Sequence, residues 1–149
     1  MLVRTAHLSS KPPETLWPLL CNAQMDGSNS LPFRLGVPRP VACRLPDGAG
    51  GVGSRRECIS NSGTIQQQIL IWDPPRQLSF RMIETDIYFR NCVSAIEDTF
   101  ELAPSSGGGT SITRTTRFSV IGRFAWFKGM LIAAALKHIH RYVFRNWDR

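Results

Sequence analysis

The sequence has few cysteines, and their spacing suits neither a metal site nor a redox motif. It contains four, Cys21, Cys43, Cys58 and Cys92, among 149 residues. No two form a Cys-x-x-Cys pair, and none stands at zinc-ligand spacing from a histidine. We therefore expect reduced thiols in a cytoplasmic protein, with Cys58 and Cys92 as small core residues.

The chain also lacks a long apolar run. Its longest, 130-MLIAAAL-136, is far shorter than the ~20 residues that cross a bilayer. The N-terminal stretch MLVRTAHLSSKPP has no apolar segment of the kind that a signal peptide carries. These absences predict a cytoplasmic protein that makes at most transient contact with a membrane.

Acidic residues are few, 11 against 18 lysines and arginines, which gives a net charge of +7. The basic residues are scattered without a run of five or more, as is typical of ordinary solubility charge. A nucleic-acid partner is therefore not expected. An alternative stays open, a basic helix face that docks an acidic partner or RNA, formed by Lys137, Arg141, Arg145 and Arg149.

The composition predicts one folded domain over residues 1–149. Hydrophobic residues make up 42% of the chain and charged residues 19%, as in globular proteins. Residues 2–8 alternate like a strand, and 9-SSKPPETLWPLL-20 begins a helix with prolines and Glu14 in its first turn. Residues 22–40 are rich in Asn, Ser, Gly and Pro, which predicts a loop with a helical turn near 31–35.

Strands and one long helix follow. Four strands are predicted at 40–45, 52–60, 64–72 and 77–84, joined by the turn segments 46-PDGAGG-51, 61-NSG-63 and 73-DPPR-76. A further hairpin spans residues 92–120 around the loop 103-APSSGGG-109. From about Arg123 to Trp147, apolar residues recur every three to four positions, as in an amphipathic helix. This order predicts an α+β fold in which a curved antiparallel sheet wraps the helix.

The order of elements and several local segments resemble the START-like, or birch-pollen-allergen-like (SRPBCC), superfamily. The segments are 9-SSKPPETLWPLL-20, 53-GSRR-56, 71-IWDPPRQLSFR-81, 97-EDTFELAP-104 and the closing helix. The chain is similar in particular to the polyketide cyclase/dehydrase and lipid-transport branch. The resemblance implies a helix-grip fold with a hydrophobic cavity and an apolar or amphipathic ligand. No catalytic motif is shared across that superfamily, and neither a cofactor nor a metal is expected.

Each strand of the hairpin at 92–120 carries one charge on its apolar face. Asp98 and Arg114 both alternate with apolar neighbours. With Leu102 opposite Thr110, the two charges become direct cross-strand neighbours. Dry burial of such a pair costs several kcal/mol per ion, so water or the polar end of a ligand is expected beside it. A structural ion pair at a wet cavity mouth is the alternative.

The other candidate ligand contacts follow from strand alternation and helix periodicity. With Trp72 opposite Leu78, Gln68 falls opposite Met82 on a face that Arg56 also joins. On the helix, the small residues 133–135 leave room for a cavity of at least ~300 Å³. The expected ligand-binding residues are Arg56, Gln68, Phe80, Met82, Asp98, Phe100, Ile112, Arg114, Thr116, Ala134 and His138.

The closing helix carries two histidines that cannot act together. His138 and His140 lie about 200° apart around the helix, so they cannot converge on one metal or substrate atom. His138 falls on the apolar stripe and is expected at the cavity, whereas His140 does not. Near the start of this helix, Trp126, Phe127 and Lys128 are expected at a rim that could touch a membrane during ligand loading.

The sequence predicts a protein that binds a hydrophobic or amphipathic small molecule, for transport or sequestration. One alternative is a small cyclase or dehydratase that acts on a polyketide-like substrate in the same cavity, with Asp98 as acid or base. The other is the basic interaction module. Catalytic residues, the identity of the ligand and the oligomeric state do not follow from the sequence.

Overall fold

The computed structural model describes residues 1–27, 29–46, 48 and 50–149, most of them in one sheet and one long helix. The helices are α1 (Pro13–Cys21), α2 (Leu31–Arg34) and α3 (Ala125–Trp147), with a 3-10 helix at Tyr88–Asn91. The strands are β1 (Leu2–Ser9), β2 (Ala23–Gln24), β3 (Pro40–Arg44), β4 (Arg55–Ser60), β5 (Gly63–Asp73), β6 (Gln77–Thr85), β7 (Val93–Pro104) and β8 (Thr110–Val120).

The eight strands form one antiparallel sheet in the order β1-β8-β7-β6-β5-β4-β3-β2. Strands that follow one another in the chain pair with one another from β2 to β8, and β1 crosses over to pair with β8. Short turns join antiparallel neighbours, as the turn segments of the sequence predict. The predicted α+β helix-grip fold, a curved sheet around a long C-terminal helix, is confirmed.

The main core lies between α1, the concave face of the sheet and the second half of α3. Leu16 and Leu20 of α1, Phe100 of β7 and Phe144 of α3 are all buried there. Burial of each such side chain stabilises the fold by roughly 1.5–3 kcal/mol. The end of α3 is tied to the start of the chain, because Ser9 Oγ donates to Asp148 Oδ1 at 2.7 Å.

The ends of several predicted elements move by a few residues. Strand β4 begins at Arg55 rather than at 52, since Gly53 has a φ of 86°, which interrupts extended backbone. Helix α3 begins at Ala125 because Phe124 adopts a left-handed conformation with a φ of 57°. Strand β2 and the 3-10 helix were not predicted, because both are too short for a periodic signal. Residues 47 and 49 of the predicted turn at 46–51, and residue 28 of the predicted loop at 22–40, lie outside the described residues.

Candidate ligand-binding cavity

A cavity of about 180 Å³ lies between the concave face of the sheet and the inner face of α3. Its helical wall consists of Ile132, Ala135, Leu136, Ile139, Val143 and Trp147. The opposite wall is largely apolar and includes Ile59, Ile65, Met82, Ile96 and Phe100. Its polar members include Arg56, Ser60, Gln67, Asp98 and Arg114. A mostly apolar wall with a few fixed polar groups is typical of a pocket that orients a ligand.

The cavity is smaller than the volume of at least ~300 Å³ that the small residues of the helix suggested. The rings of Phe100 and Trp147 occupy part of the space between sheet and helix, with their centroids 5.4 Å apart. Helix α3 also presents Ala135 to the cavity and turns Ala134 to solvent. Fewer small side chains therefore face the sheet than the sequence predicted.

The two charges on the apolar face of the hairpin do meet. Arg114 donates from Nε to Oδ1 of Asp98 at 3.1 Å and from Nη2 to Oδ2 at 3.2 Å. The side chains are 12% and 6% exposed, respectively. The prediction of direct cross-strand neighbours is wrong, because Asp98 lies opposite Thr116, and Phe100 lies opposite Arg114. This shift by two residues keeps both charges on the same face, so they pair diagonally.

Thr116 and His140 extend the ion pair into a chain of hydrogen bonds that reaches β1. Thr116 Oγ1 donates to Asp98 Oδ1, because an ionised carboxylate can only accept. Thr116 Oγ1 therefore accepts from His140 Nε2, which is 2.8 Å away. His140 Nδ1 then carries no proton and accepts from Thr5 Oγ1 at 2.9 Å. This order of donors and acceptors assigns His140 as the neutral tautomer that carries its proton on Nε2.

The local electrostatics keep both acid–base groups in the states that this chain requires. Burial by itself would raise the pKa of Asp98, but the charge of Arg114 and hydrogen bonds from Arg114 and Thr116 hold that pKa below its usual range. Burial, with repulsion from Arg114, lowers the pKa of His140 to about 3. Asp98 is thus ionised and His140 neutral at pH 7, and both ring nitrogens of His140 are occupied.

Arg56 of β4 lines the same cavity and is 4% exposed. Its Nε and Nη2 donate to the carbonyl of Leu20 in α1 at 3.0 and 2.8 Å, and its Nη1 donates to Gln67 Oε1 at 2.7 Å. The guanidinium carbon lies 4.3 Å from the centroid of the Phe80 ring. Arg56 therefore links α1 to the sheet through neutral acceptors and an aromatic face.

The structure brings about half of the predicted contact residues into the cavity wall. Five line it: Arg56, Met82, Asp98, Phe100 and Arg114. Three are buried but lie outside its lining: Phe80, Ile112 and Thr116. Three lie elsewhere, at positions that the predicted register or helix phase placed inside: Gln68, Ala134 and His138.

Gln68 is displaced by irregular pairing between β5 and β6. Two register shifts flank residues 67–69, so this segment is offset from the pairing on either side of it. Gln67 therefore lies opposite Met82 and lines the cavity, whereas Gln68 lies opposite Arg81 and accepts a hydrogen bond from it at 3.0 Å. A shift of one residue moves a side chain to the other face of a strand.

The rotation of α3 about its axis keeps the other two residues, Ala134 and His138, out of the cavity wall. The face toward the cavity includes Ile132 and Leu136, which leaves Ala134 exposed. His138 points toward the segment before α2, where Ser30 Oγ lies 2.8 Å from its Nε2. The prediction that Ala134 and His138 face the cavity is therefore wrong.

Two buried polar residues, Gln67 and His140, lie inward although the sequence analysis did not place them there. His140 was assigned off the apolar stripe but is fully buried. Its hydrogen-bond partners come from β1 and β8, far from it in the chain. No local pattern marks such a residue, because the polar partners that satisfy it are tertiary neighbours.

Cys43 and Cys58 form a disulfide across directly paired positions of β3 and β4, and both line the cavity. The expectation of four reduced thiols is therefore wrong. Cys21 and Cys92 are free. The cysteines therefore no longer support the prediction of a cytoplasmic protein, since structural disulfides are rare in that compartment.

Within the described ranges, no three His, Cys, Asp or Glu side chains are grouped as metal ligands, and no helix is long and apolar enough to cross a bilayer.

We expect Asp98 and Arg114 to be strongly coupled in stability. Asp98→Ala leaves a buried guanidinium without its carboxylate, which costs up to ~3–5 kcal/mol when a pair is fully buried. The double variant Asp98→Ala/Arg114→Met should lose much less than the sum of the single changes, as denaturant melts of the four proteins would show. The exposed pair of Asp73 and Arg76 provides the control cycle, with weak coupling. Equal coupling in the two cycles would contradict the role assigned to Asp98.

We expect a pH dependence of stability that depends on His140. Its pKa of about 3 in the folded protein lies below the ~6.5 of an unfolded chain, so the unfolded state binds more protons between these values. Stability should therefore be complete above pH 6.5 and fall as the pH is lowered toward 3. Urea melts at pH 7 and pH 5 measure this, and His140→Gln should reduce the difference. His138→Gln, at a half-buried histidine, should largely preserve it; equal effects of both changes would refute the assignment.

Comparison with known proteins places the sequence in a family. The family described as "Polyketide cyclase / dehydrase and lipid transport" matches residues 3–148. No curated protein matches the chain.

Solved structures with the same fold come from bacteria and a plant. A START superfamily protein from Mycobacterium smegmatis has a TM-score of 0.67 at 11% identity, with 99% of this chain and 94% of that chain covered. Major latex-like protein 151 from Panax ginseng has a TM-score of 0.71 at 10% identity, with 99% and 95% covered. A protein from Thermus thermophilus has a TM-score of 0.68 at 15% identity, with 99% and 94% covered.

At such low identities the structural likeness shows the fold alone, a sheet that grips a C-terminal helix. The family of the chain follows instead from the family match, because that match extends over almost the entire chain. The chain therefore belongs to the polyketide cyclase/dehydrase and lipid-transport family.

Proposed function

We propose that residues 1–149 form one domain that binds a hydrophobic or amphipathic small molecule between the sheet and α3. The observation that carries this proposal is the composition of the cavity wall, which is apolar except for a few buried polar groups. An apolar wall favours the body of such a ligand, and the fixed Asp98–Arg114 pair offers its polar end a defined position. Transport or sequestration would need only reversible binding of this kind.

The hydrogen-bond chain favours binding over the cyclase or dehydratase alternative. Asp98 has a lowered pKa and is already engaged by Arg114 and Thr116, so it is a weak base and has no proton to donate at neutral pH. His140 has partners on both nitrogens. These groups support the fold and orient a ligand without a free acid–base site.

The start of α3 supports a transient contact with an anionic membrane during ligand loading. Exposed apolar side chains cluster there: Ile121, Phe124, Trp126, Phe127, Met130 and Leu131. Arg123 and Lys128 lie in the same stretch of chain. Aromatic side chains flanked by basic residues suit the interface of a bilayer that contains anionic lipid. Leu131 directly precedes Ile132 of the cavity wall, so the apolar surface adjoins the cavity.

The basic interaction module has less support. Lys137 Nζ donates to the carbonyl of Arg4 at 2.6 Å, and Arg149 pairs with Asp26. Two of the four basic residues are thus engaged within the molecule. Arg141 and Arg145 are exposed and make no such contact with the residues that the structure describes.

We expect the purified protein to bind naphthalene, a small neutral fluorescent probe, in the cavity. Ala135→Phe places a ring in the cavity and should weaken probe binding by at least about tenfold, or about 1.4 kcal/mol. Ala134→Phe adds the same ring one position away on the exposed face of α3 and should leave binding unchanged. Fluorescence titration measures both, with circular dichroism to check folding. Equal affinities for the two variants would place the site elsewhere.

We expect vesicles that contain anionic phosphatidylglycerol to bind the protein more strongly than vesicles of phosphatidylcholine alone. Trp126→Ser/Phe127→Ser should remove most of this binding in a co-sedimentation assay. Leu8→Ser is the control, because Leu8 is as exposed as Trp126, at 73%, and lies on β1 near the far end of α3. Loss of binding in the control, or none in the double variant, would contradict a membrane contact at this surface.

A further inference from the structure

The charged groups in the cavity wall do not balance. Among the described residues that line the cavity, those charged at neutral pH are Arg56, Asp98 and Arg114. Two guanidinium groups thus face one carboxylate. His140, behind Thr116, adds no charge because burial holds it in the neutral form. The site has an excess of one positive charge in a wall whose other described residues are uncharged.

The single carboxylate is committed to one of the two arginines. Asp98 accepts both of its guanidinium hydrogen bonds from Arg114. Arg56 donates to neutral acceptors, the carbonyl of Leu20, Gln67 Oε1 and Cys58 Sγ. Within the described part of the chain, no carboxylate is hydrogen-bonded to Arg56, which is 4% exposed, and the repulsion from Arg114 exceeds the attraction of Asp98. A buried charge without a counterion is costly, and a bound anion would offset that cost.

The two guanidinium groups line the same cavity and lie over neighbouring aromatic rings. That of Arg56 is 4.3 Å from the centroid of Phe80, and that of Arg114 is 4.9 Å from the centroid of Phe100. The two ring centroids are 6.1 Å apart. Both cations therefore border the same region of the cavity.

Both arginines also keep N–H groups for a further acceptor. Arg114 uses Nε and Nη2 on Asp98, and no described residue accepts from its Nη1. Arg56 uses Nε, Nη1 and one hydrogen of Nη2, which leaves the second Nη2 hydrogen. Burial and repulsion from Arg114 lower the pKa of Arg56 to about 10, so it stays protonated at pH 7.

We propose that the ligand of this cavity is a compact monoanionic amphiphile, a carboxylic acid with a short acyl or single-ring body, whose carboxylate lies between Arg56 and Arg114. This inference rests on the proposed binding function and specifies its ligand. A carboxylate accepts planar pairs of N–H bonds from guanidinium groups and neutralises the excess charge. The volume of about 180 Å³ equals the liquid volume of only about six water molecules, which favours a small ligand body over a sterol.

The test compares ligands that share one apolar chain and differ in head-group charge. Octanoate, octan-1-ol and octylammonium are titrated into the wild-type protein at pH 7 by isothermal titration calorimetry. Octanoate should bind at least about tenfold more tightly than octanol, since hydrogen bonds between charged groups are stronger than those to a neutral hydroxyl. Octylammonium should bind most weakly.

Three variants test whether Arg56 causes the preference for octanoate. Arg56→Gln removes the charge and should bring the affinities for octanoate and octanol close together. Arg55→Gln removes the same charge from the adjacent, exposed position of β4 and should keep the wild-type preference. Arg56→Lys keeps a cation and should keep a preference for octanoate. If Arg56→Gln does not fold, the three ligands with the wild-type protein and with Arg56→Lys still decide whether the cavity prefers an anionic head group.

The outcomes separate this inference from the proposed function. If octanol binds as tightly as octanoate to the wild-type protein, or if Arg56→Gln keeps the full preference, the anionic ligand is refuted while a binding cavity remains. If octanoate, octanol and naphthalene all fail to bind, the proposed function itself is refuted. A preference for octanoate that is lost in Arg56→Gln and kept in Arg55→Gln supports the inference.

Discussion

The carboxylate of Asp98 connects four elements of the fold at one place. It lies on β7, accepts hydrogen bonds from Arg114 and Thr116 of β8, and is linked through Thr116 to His140 of α3 and Thr5 of β1. Each of these groups would be costly to bury alone, and each is satisfied by the next. These hydrogen bonds therefore join α3 to the sheet at the charged part of the cavity wall.

Arg56 has a comparable double role on the other side of the cavity. It ties the carbonyl of Leu20 in α1 to Gln67 of β5, and its guanidinium packs on Phe80. Because these partners are neutral, they hold the arginine in position without cancelling its charge. The same interactions that fix α1 against the sheet thus leave a positive potential in the cavity.

Prediction of the inward face depended on how each strand pairs. The hairpin of β7 and β8 is shifted by two residues from the simplest register, and Asp98 and Arg114 stay on the predicted face because side chains alternate with a period of two. In β5 an offset of one residue exchanges Gln68 for Gln67. On α3 a difference of one position replaces Ala134 with Ala135 in the wall. Errors of one residue therefore changed the candidate site, whereas an error of two did not.

The sequence by itself determined the order of elements, the antiparallel sheet, the long closing helix and the apolar face of the last hairpin. Turn chemistry and hydrophobic periodicity depend on residues that are close together in the sequence, so they can be recognised from the sequence alone. Only the tertiary structure decided the offset in β5, the phase of α3, the disulfide between Cys43 and Cys58 and the burial of His140. Each of these depends on contacts between residues far apart in the chain, whose energies no local pattern records.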